Sequence, residues 1–423
     1  MSSFDIFLVI DVGFPLKIFF VVSLGAILIW LTKFDKIKIK MIGLGYFITW
    51  FLFLLTFIGN TNLLAKNIVY QYILFHYFIV ILMIADVVNS ELKIIKLFRY
   101  YIYSFLFVGI FGLIQFFASL AGVSLLTAQY WIEGSLGRIN GFSYEPSYFA
   151  TYMLLGWGTL FIILNNKKFD YNYWQISKQF LKRVLQFMSL VIVLSSSRMG
   201  ILIIIVLTFI SFIYRFIKLL MKRRVSKYFL TYPIVAIGFT VVAIIYLPRY
   251  FETYSFLLSG TGIGGTASHS VDDRNLGAEN SLAVAKKSIF VGVGLGGVQS
   301  ALAGSHGVVI RKPEDAIDFE IDNVFIEIFA ASSFAGFVFF MLYLYSMYSK
   351  WFLLESIAPQ YRVLFSGLLF GLLINLLLLI LNENILRSYL WMQIALLNAV
   401  YYIGSKKQIT EFNQNNVVVN VAK

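Results

Sequence analysis

GRINGFSYEPSYFATYMLLG, residues 137–156, passes from a polar turn straight into an apolar run. Arg138, Glu145 and Pro146 come first, and Ser147–Leu164 then carries no charge. About 20 apolar residues are what a helix needs to cross roughly 30 Å of hydrocarbon. A proline at the first helical turn costs nothing, because its missing N–H has no intrahelical partner there. Charge beside a membrane span is costly, so Arg138 and Glu145 call for a reason.

The rest of the chain repeats this grammar. Of its 423 residues, 60% are hydrophobic, 18% aromatic and 13% charged, where a soluble domain is about 25% charged. Mean hydropathy is +0.82. So much apolar surface cannot be hidden in one soluble core, and the expected fold class is an all-α polytopic membrane protein. Eleven spans are expected, near 15–32, 41–58, 68–86, 100–122, 147–164, 183–197, 200–217, 229–247, 323–348, 363–381 and 387–403. The span at 183–197 is short and can start earlier. The apolar FDIFLVIDV (4–12) is too short to cross and reads as interfacial or re-entrant; if it crosses, the count is twelve. No cleavable signal is expected, because the start has neither a basic region nor an Ala-x-Ala site. The absence of cysteine excludes disulfides, thiolate metal sites and a cysteine nucleophile.

Lysine and arginine set the orientation. Loops at 33–40, 91–99, 165–183 and 215–227, with Lys350, Arg362 and the C-terminus, hold 23 of the 34 basic residues, while 15 of the 21 acids fall on the other side. The basic side is therefore cytoplasmic, and 126–146 and 248–322 lie outside. Three parts follow: membrane helices over 1–247, a large external loop over 248–322, and membrane helices with a cytoplasmic tail over 323–423. The net charge of +13 lies between apolar runs, which argues against a nucleic-acid partner. The run MKRRVSK (221–227) reads as topology and anionic-lipid contact.

Arg138, Arg198 in LSSSRMG, and Arg274 stand on the external face, with Asp322 and Glu327 at the outer end of the ninth span. A guanidinium fork suits phosphate, since it offers two donors at once. The plainer readings are a snorkelling Arg198, a solvated loop charge at Arg138 or an Arg138–Glu145 ion pair closing the loop, and a salt bridge from Arg274 to Asp272 or Asp273. GVGLGG (292–297) looks like a phosphate loop but lacks a strand–helix context, so a close backbone approach is favoured. His76 reads as a packed or helix-bridging histidine. His269 and His306 have no second histidine at ligand spacing, and neither a metal nor another cofactor is assigned.

Four motifs in order resemble the bacterial O-antigen polymerase and ligase superfamily: RINGFSYEPSYFATY (138–152), SSSRMG (195–200), RNLGAENSLAVAKKSIFVGVGLGG (274–297) and IDNVFIEIFAASSFAG (321–336). Two departures from the ligase pattern stand out. Asp322 replaces its histidine, and Ser333 replaces the first glycine of its Gly-x-x-Gly, while Gly336 keeps the second. The missing histidine, together with the Glu-Pro-Ser element at 145–147, makes the resemblance point to a polymerase with a membrane glycosyltransferase fold of the GT-C kind. It implies an undecaprenyl-diphosphate-linked glycan as donor and as acceptor, membrane lipid around them, and a chain-length regulator and a flippase as partners. The site would face the periplasm from the cytoplasmic membrane. Arg138, Arg198, Arg274, Tyr144 and Asn323 would hold diphosphate and substrate. Glu145, Asp322 and Glu327 are the candidate bases, and no metal is needed if arginines neutralise the leaving group. The alternatives are an O-antigen ligase, a flippase or transporter of lipid-linked sugars, and a scaffold or receptor.

Overall fold

The computed structural model describes residues 10–11, 15–33, 41–132, 136–221, 282–310, 315, 319, 323–380 and 385–421. Residues 1–197 with 280–423 form one compact unit, and 198–279 form another. The described part of the second is one apolar helix, α7 (Arg198–Met221). The first holds α1 (Ile18–Thr32), α2 (Leu44–Thr56), α3 (Leu64–Val87), α4 (Glu91–Leu120), α5 (Pro146–Asn165), α6 (Lys178–Ser195), α8 (Val298–Ser305), α9 (Val324–Ser349), α10 (Pro359–Leu378) and α11 (Ser388–Val421). Two short antiparallel pairs accompany them: β1 (Ile10–Asp11) with β2 (Pro15–Leu16), and β3 (Tyr130–Ile132) with β4 (Leu136–Gly137).

Six helices, α3, α4, α5, α7, α9 and α10, are long and apolar enough to cross a membrane when α9 is taken end to end, and α1 and α2 are shorter apolar helices. This is a helical membrane protein. Ten of the eleven expected segments fall on helices; the one at 229–247 lies outside the described residues, as does most of 4–12, whose Ile10 and Asp11 are extended in β1. The short span does start earlier, at Lys178, where Ser177 Oγ accepts from Phe180 N. α4 starts at Glu91 rather than near 100 and runs 30 residues, about 45 Å, so Lys93, Lys96 and Arg99 ride on its first turns.

α5 and α10 form the buried centre, antiparallel along their length. Asn375 Nδ2 donates to Thr151 O at 3.3 Å. A Cβ on Gly371 would lie 2.4 Å from Leu155 O, and one on Gly158 only 3.1 Å from the Gly371 Cα. Small residues let the two backbones approach closely, which is the main source of helix association where lipid removes the hydrophobic drive. α2 packs on α9, α3 on α11, and α6 on α4 and α5. Large apolar side chains such as Leu28, Ile29, Phe107 and Phe117 face outward, as a lipid-facing surface requires.

α9 corrects the sequence reading. The expected span at 323–348 is not one straight rod: Ser333 has φ 65° and ψ 175° inside it. The rings of Phe329 and Phe337 lie 5.6 Å apart, and those of Phe325 and Phe340 6.5 Å apart. Fifteen residues of straight helix would separate the latter pair by about 22 Å. α9 is therefore a helical hairpin, with a first arm over 324–332 and a second over 334–349.

Candidate functional site

The turn of this hairpin is wrapped by the glycine-rich stretch. Val293 N and Gly294 N donate to the carbonyls of Ala330 and Ala331, and Phe334 N donates to Ile289 O. These bonds satisfy groups that the reversal at Ser333 frees from the helix ladder. Gly294 has φ 70°, and its Cβ would sit 2.0 Å from Asn67 Nδ2. Asn67, fully buried, donates to Ile58 O at 2.9 Å and accepts from Gly296 N at 3.2 Å. GVGLGG is thus a close backbone approach, as its context suggested. It also places the turn of α9 beside the end of α2 and the start of α3.

The start of α9 consequently lies back along the second arm, level with Phe340. Val324 N donates to Leu379 O at 3.0 Å, just past the end of α10. Asn323 caps the first arm, its Oδ1 accepting from Phe325 N at 2.9 Å and from Ile326 N at 3.2 Å. Glu327 stands in the first turn, half-buried. α10 in turn holds the start of α5, where Glu145 is the exposed N-cap residue and Ser147 Oγ donates to its Oε2 at 2.9 Å. Tyr144 is exposed, with Lys17 Nζ 5.9 Å from its ring centroid. Glu145, Tyr144, Asn323 and Glu327 are thus brought to one end of the α5–α10 pair. Asp322 precedes Asn323 in the chain but, like Arg274, lies outside the described residues.

One residue of this neighbourhood was missed from sequence. Arg387, just before α11, is only 6% exposed, and its guanidinium carbon lies 3.5 Å from the centroid of the Tyr148 ring. The segment carrying it is pinned: Tyr77 Oη donates to Leu386 O at 2.7 Å, and Trp391 Nε1 to Ile385 O at 2.8 Å. The available signal was one arginine in NILRSYLWM between two apolar runs, a pattern that reads equally as a solvated span end.

Arg138 sits at the end of α6. Its Nη1 donates to Gln129 Oε1 at 2.6 Å, Nη2 to Ser196 O at 3.1 Å and Nε to Ser195 O at 3.3 Å. It sits on the last carbonyls of α6, where the helix dipole favours a cation. Ser196 turns the chain there with φ 58°. Arg198 opens α7 in the second unit.

The opposite end, which the charge count assigns to the cytoplasm, is clasped. Trp174 is fully buried and donates from Nε1 to Gln360 O at 3.1 Å. Tyr173 Oη bridges Tyr361 Oη at 2.6 Å and Glu91 Oε2 at 3.1 Å, and Lys407 pairs with Glu91 at 2.5 Å. Burial, then the Tyr361 hydroxyl, holds the Tyr173 phenol well above its ordinary pKa. His76 is a packed histidine, its Nε2 2.7 Å from Ser23 Oγ. Among the described residues no three His, Asp or Glu side chains stand together as a metal site would need.

Compared with known proteins, the chain matches no protein-family model, no curated protein and no solved structure.

Proposed function

We propose that this protein is a membrane glycosyltransferase. It joins undecaprenyl-diphosphate-linked repeat units into O-antigen or capsule-type polysaccharide on the outer side of the bacterial cytoplasmic membrane. The observation that carries the reading is the meeting of Tyr144, Glu145, Asn323, Glu327 and Arg387 where α5, α9 and α11 start and α10 ends. Interrupted helices at membrane depth are tolerated where they line a polar site. In the reaction the bond from the donor's anomeric carbon to the diphosphate oxygen breaks, and its electron pair leaves with undecaprenyl diphosphate. The acceptor hydroxyl oxygen bonds to that carbon, and its proton goes to a carboxylate. Glu145, Glu327 and Asp322 are the candidate bases, worth about 10²–10⁴-fold. Arg198 and Arg274 are the motif cations for the leaving charge. Arg138 is the remaining motif cation, and it also donates to the carbonyls of Ser195 and Ser196.

A flippase of the same lipid is the second reading. Alternating access needs an opposite end that opens, and the Trp174–Tyr173–Glu91–Lys407 clasp favours a fixed site instead. The test is purified protein with lipid-linked repeat units. A ladder of polymer lengths supports the proposal; transbilayer movement of the lipid without polymer refutes it. Restoring only a strain that lacks the ligase would assign the other branch.

A further inference from the structure

Two helices that begin at the basic end of the molecule, α4 and α6, gather cations on one surface. Tyr103 of α4 meets Phe180 of α6, their ring centroids 6.2 Å apart. Arg99 Nη2 donates to Gln175 O at 2.5 Å and to Gln175 Oε1 at 3.0 Å, just before α6 begins. Lys96, Arg99 and Tyr103 stand at helical spacing, so they share the face of α4 that turns toward α6. Arg183, three residues after Phe180, shares the corresponding face of α6, with Lys182 beside it. Lys96, Lys182 and Arg183 are exposed, and among the described residues none of the three has a hydrogen-bond or carboxylate partner. The acids on the adjoining segments are already engaged. Glu91 holds Lys407 and the Tyr173 hydroxyl, and Asp170 accepts from the backbone N–H groups of Asn172 and Tyr173. α6 also opens on Lys178 with no acid in its first turn, the reverse of the charge that the positive end of a helix dipole favours. Mutually repelling cations in such a place call for an anion from outside the chain.

What lies beyond the cations indicates which anion. Along the same two helices, toward the middle of the membrane, the surface continues as exposed apolar side chains: Tyr103 and Ile110 of α4 are 49% and 52% exposed, and Leu190 of α6 is 50% exposed. Phe187 of α6 closes the floor between the helices, since a Cβ on Gly109 would lie 2.6 Å from its Cε1. A cation cluster at the head of an apolar stripe matches a molecule with phosphate at one end and hydrocarbon at the other. We propose that the basic ends of α4 and α6 form a binding site for an acidic phospholipid, with its phosphate on Lys96, Lys182 and Arg183 and an acyl chain along Tyr103, Ile110 and Leu190. The charge count that assigns this end to the cytoplasm places the lipid in the inner leaflet. Bound there, it offsets the repulsion among the cations and braces α4 against α6. The site lies at the opposite end of the molecule from Glu145 and Glu327, and it stands independently of the polymerase reading.

The test uses the full chain in dodecyl maltoside, titrated with phosphatidylglycerol, phosphatidylcholine or glycerol phosphate and followed by native mass spectrometry. Phosphatidylglycerol should bind at least about tenfold more tightly than phosphatidylcholine, and glycerol phosphate should not bind. Each cation beside an anionic headgroup contributes about fivefold in affinity, so Lys182→Gln/Arg183→Gln should weaken phosphatidylglycerol at least about tenfold. Lys350→Gln/Lys406→Gln removes the same charge at the end of α9 and on α11, and should change the affinity less than about twofold. Wild-type affinity in Lys182→Gln/Arg183→Gln overturns the proposal. Equal losses in the two double variants also overturn it, because they would reduce the site to net charge. So does equal binding of the two lipids, or binding of glycerol phosphate as tight as that of the lipid. If Lys182→Gln/Arg183→Gln does not fold, Lys96→Gln decides: a loss of about fivefold is expected, and unchanged affinity overturns the assignment.

Discussion

Replacing Ser333 by glycine should stabilise the protein. Ser333 holds φ 65° and ψ 175°, a region that only glycine enters without a steric penalty, and such a residue stores about 1–3 kcal/mol. Glycine removes that strain but gives the unfolded chain more freedom, a loss of about 0.5–1 kcal/mol. The net gain is about 1 kcal/mol, which for a chain of this size raises Tm by roughly 1–3 °C. Ser333→Ala is the control, since alanine keeps the Cβ and therefore the strain. Gly294→Ala is the mirror experiment: it puts a Cβ on a backbone with φ 70°, 2.0 Å from Asn67 Nδ2, and should cost at least about 2 kcal/mol. Thermal unfolding in one detergent, followed by near-ultraviolet circular dichroism, measures all three. If Ser333→Gly is no more stable than Ser333→Ala, the backbone at the α9 turn is not strained and this reasoning fails.

Asn67→Leu should cost about 2–4 kcal/mol, because it leaves the buried Gly296 N–H and Ile58 carbonyl without their partner; a loss below 1 kcal/mol in the same melts would contradict this. Tyr173→Phe should cost about 1 kcal/mol. The Tyr173 pKa is raised in the folded state, so its contribution is fully present below pH 10 and fades only above it. Melts from pH 6 to 9 should therefore show a constant gap between wild type and variant, and a gap that changes with pH in that range would refute the assignment. The chain has no cysteine, so a single cysteine at Lys167 reports topology directly: an impermeant maleimide should reach it only after cells are opened, and labelling of intact cells would reverse the orientation.

Why α9 escaped the sequence reading while its neighbours did not is a matter of what each signal measures. Hydropathy counts apolar residues and says nothing of direction, so Val324–Ser349, apolar throughout, reads as one crossing. The spans that were legible, such as Pro146–Asn165 with its proline start, have ends marked by charge or caps. The reversal in α9 has a local mark too, the run Ala-Ser-Ser-Phe-Ala-Gly, but serine does not advertise a positive φ as glycine does. Glycine is the residue this backbone prefers, so the serine at 333 marks a site of strain. Arg387 was illegible for another reason. Its environment is made by Tyr148, more than two hundred residues away in sequence, and a lone arginine beside an apolar run gives no hint of that partner. Arg138 is a different case: its motif draws attention to chemistry, and its fork also holds Gln129 and the carbonyls of Ser195 and Ser196. A guanidinium does the same work on a helix end as on a phosphate, holding oxygens that carry negative charge, so the residue type alone could not separate the two.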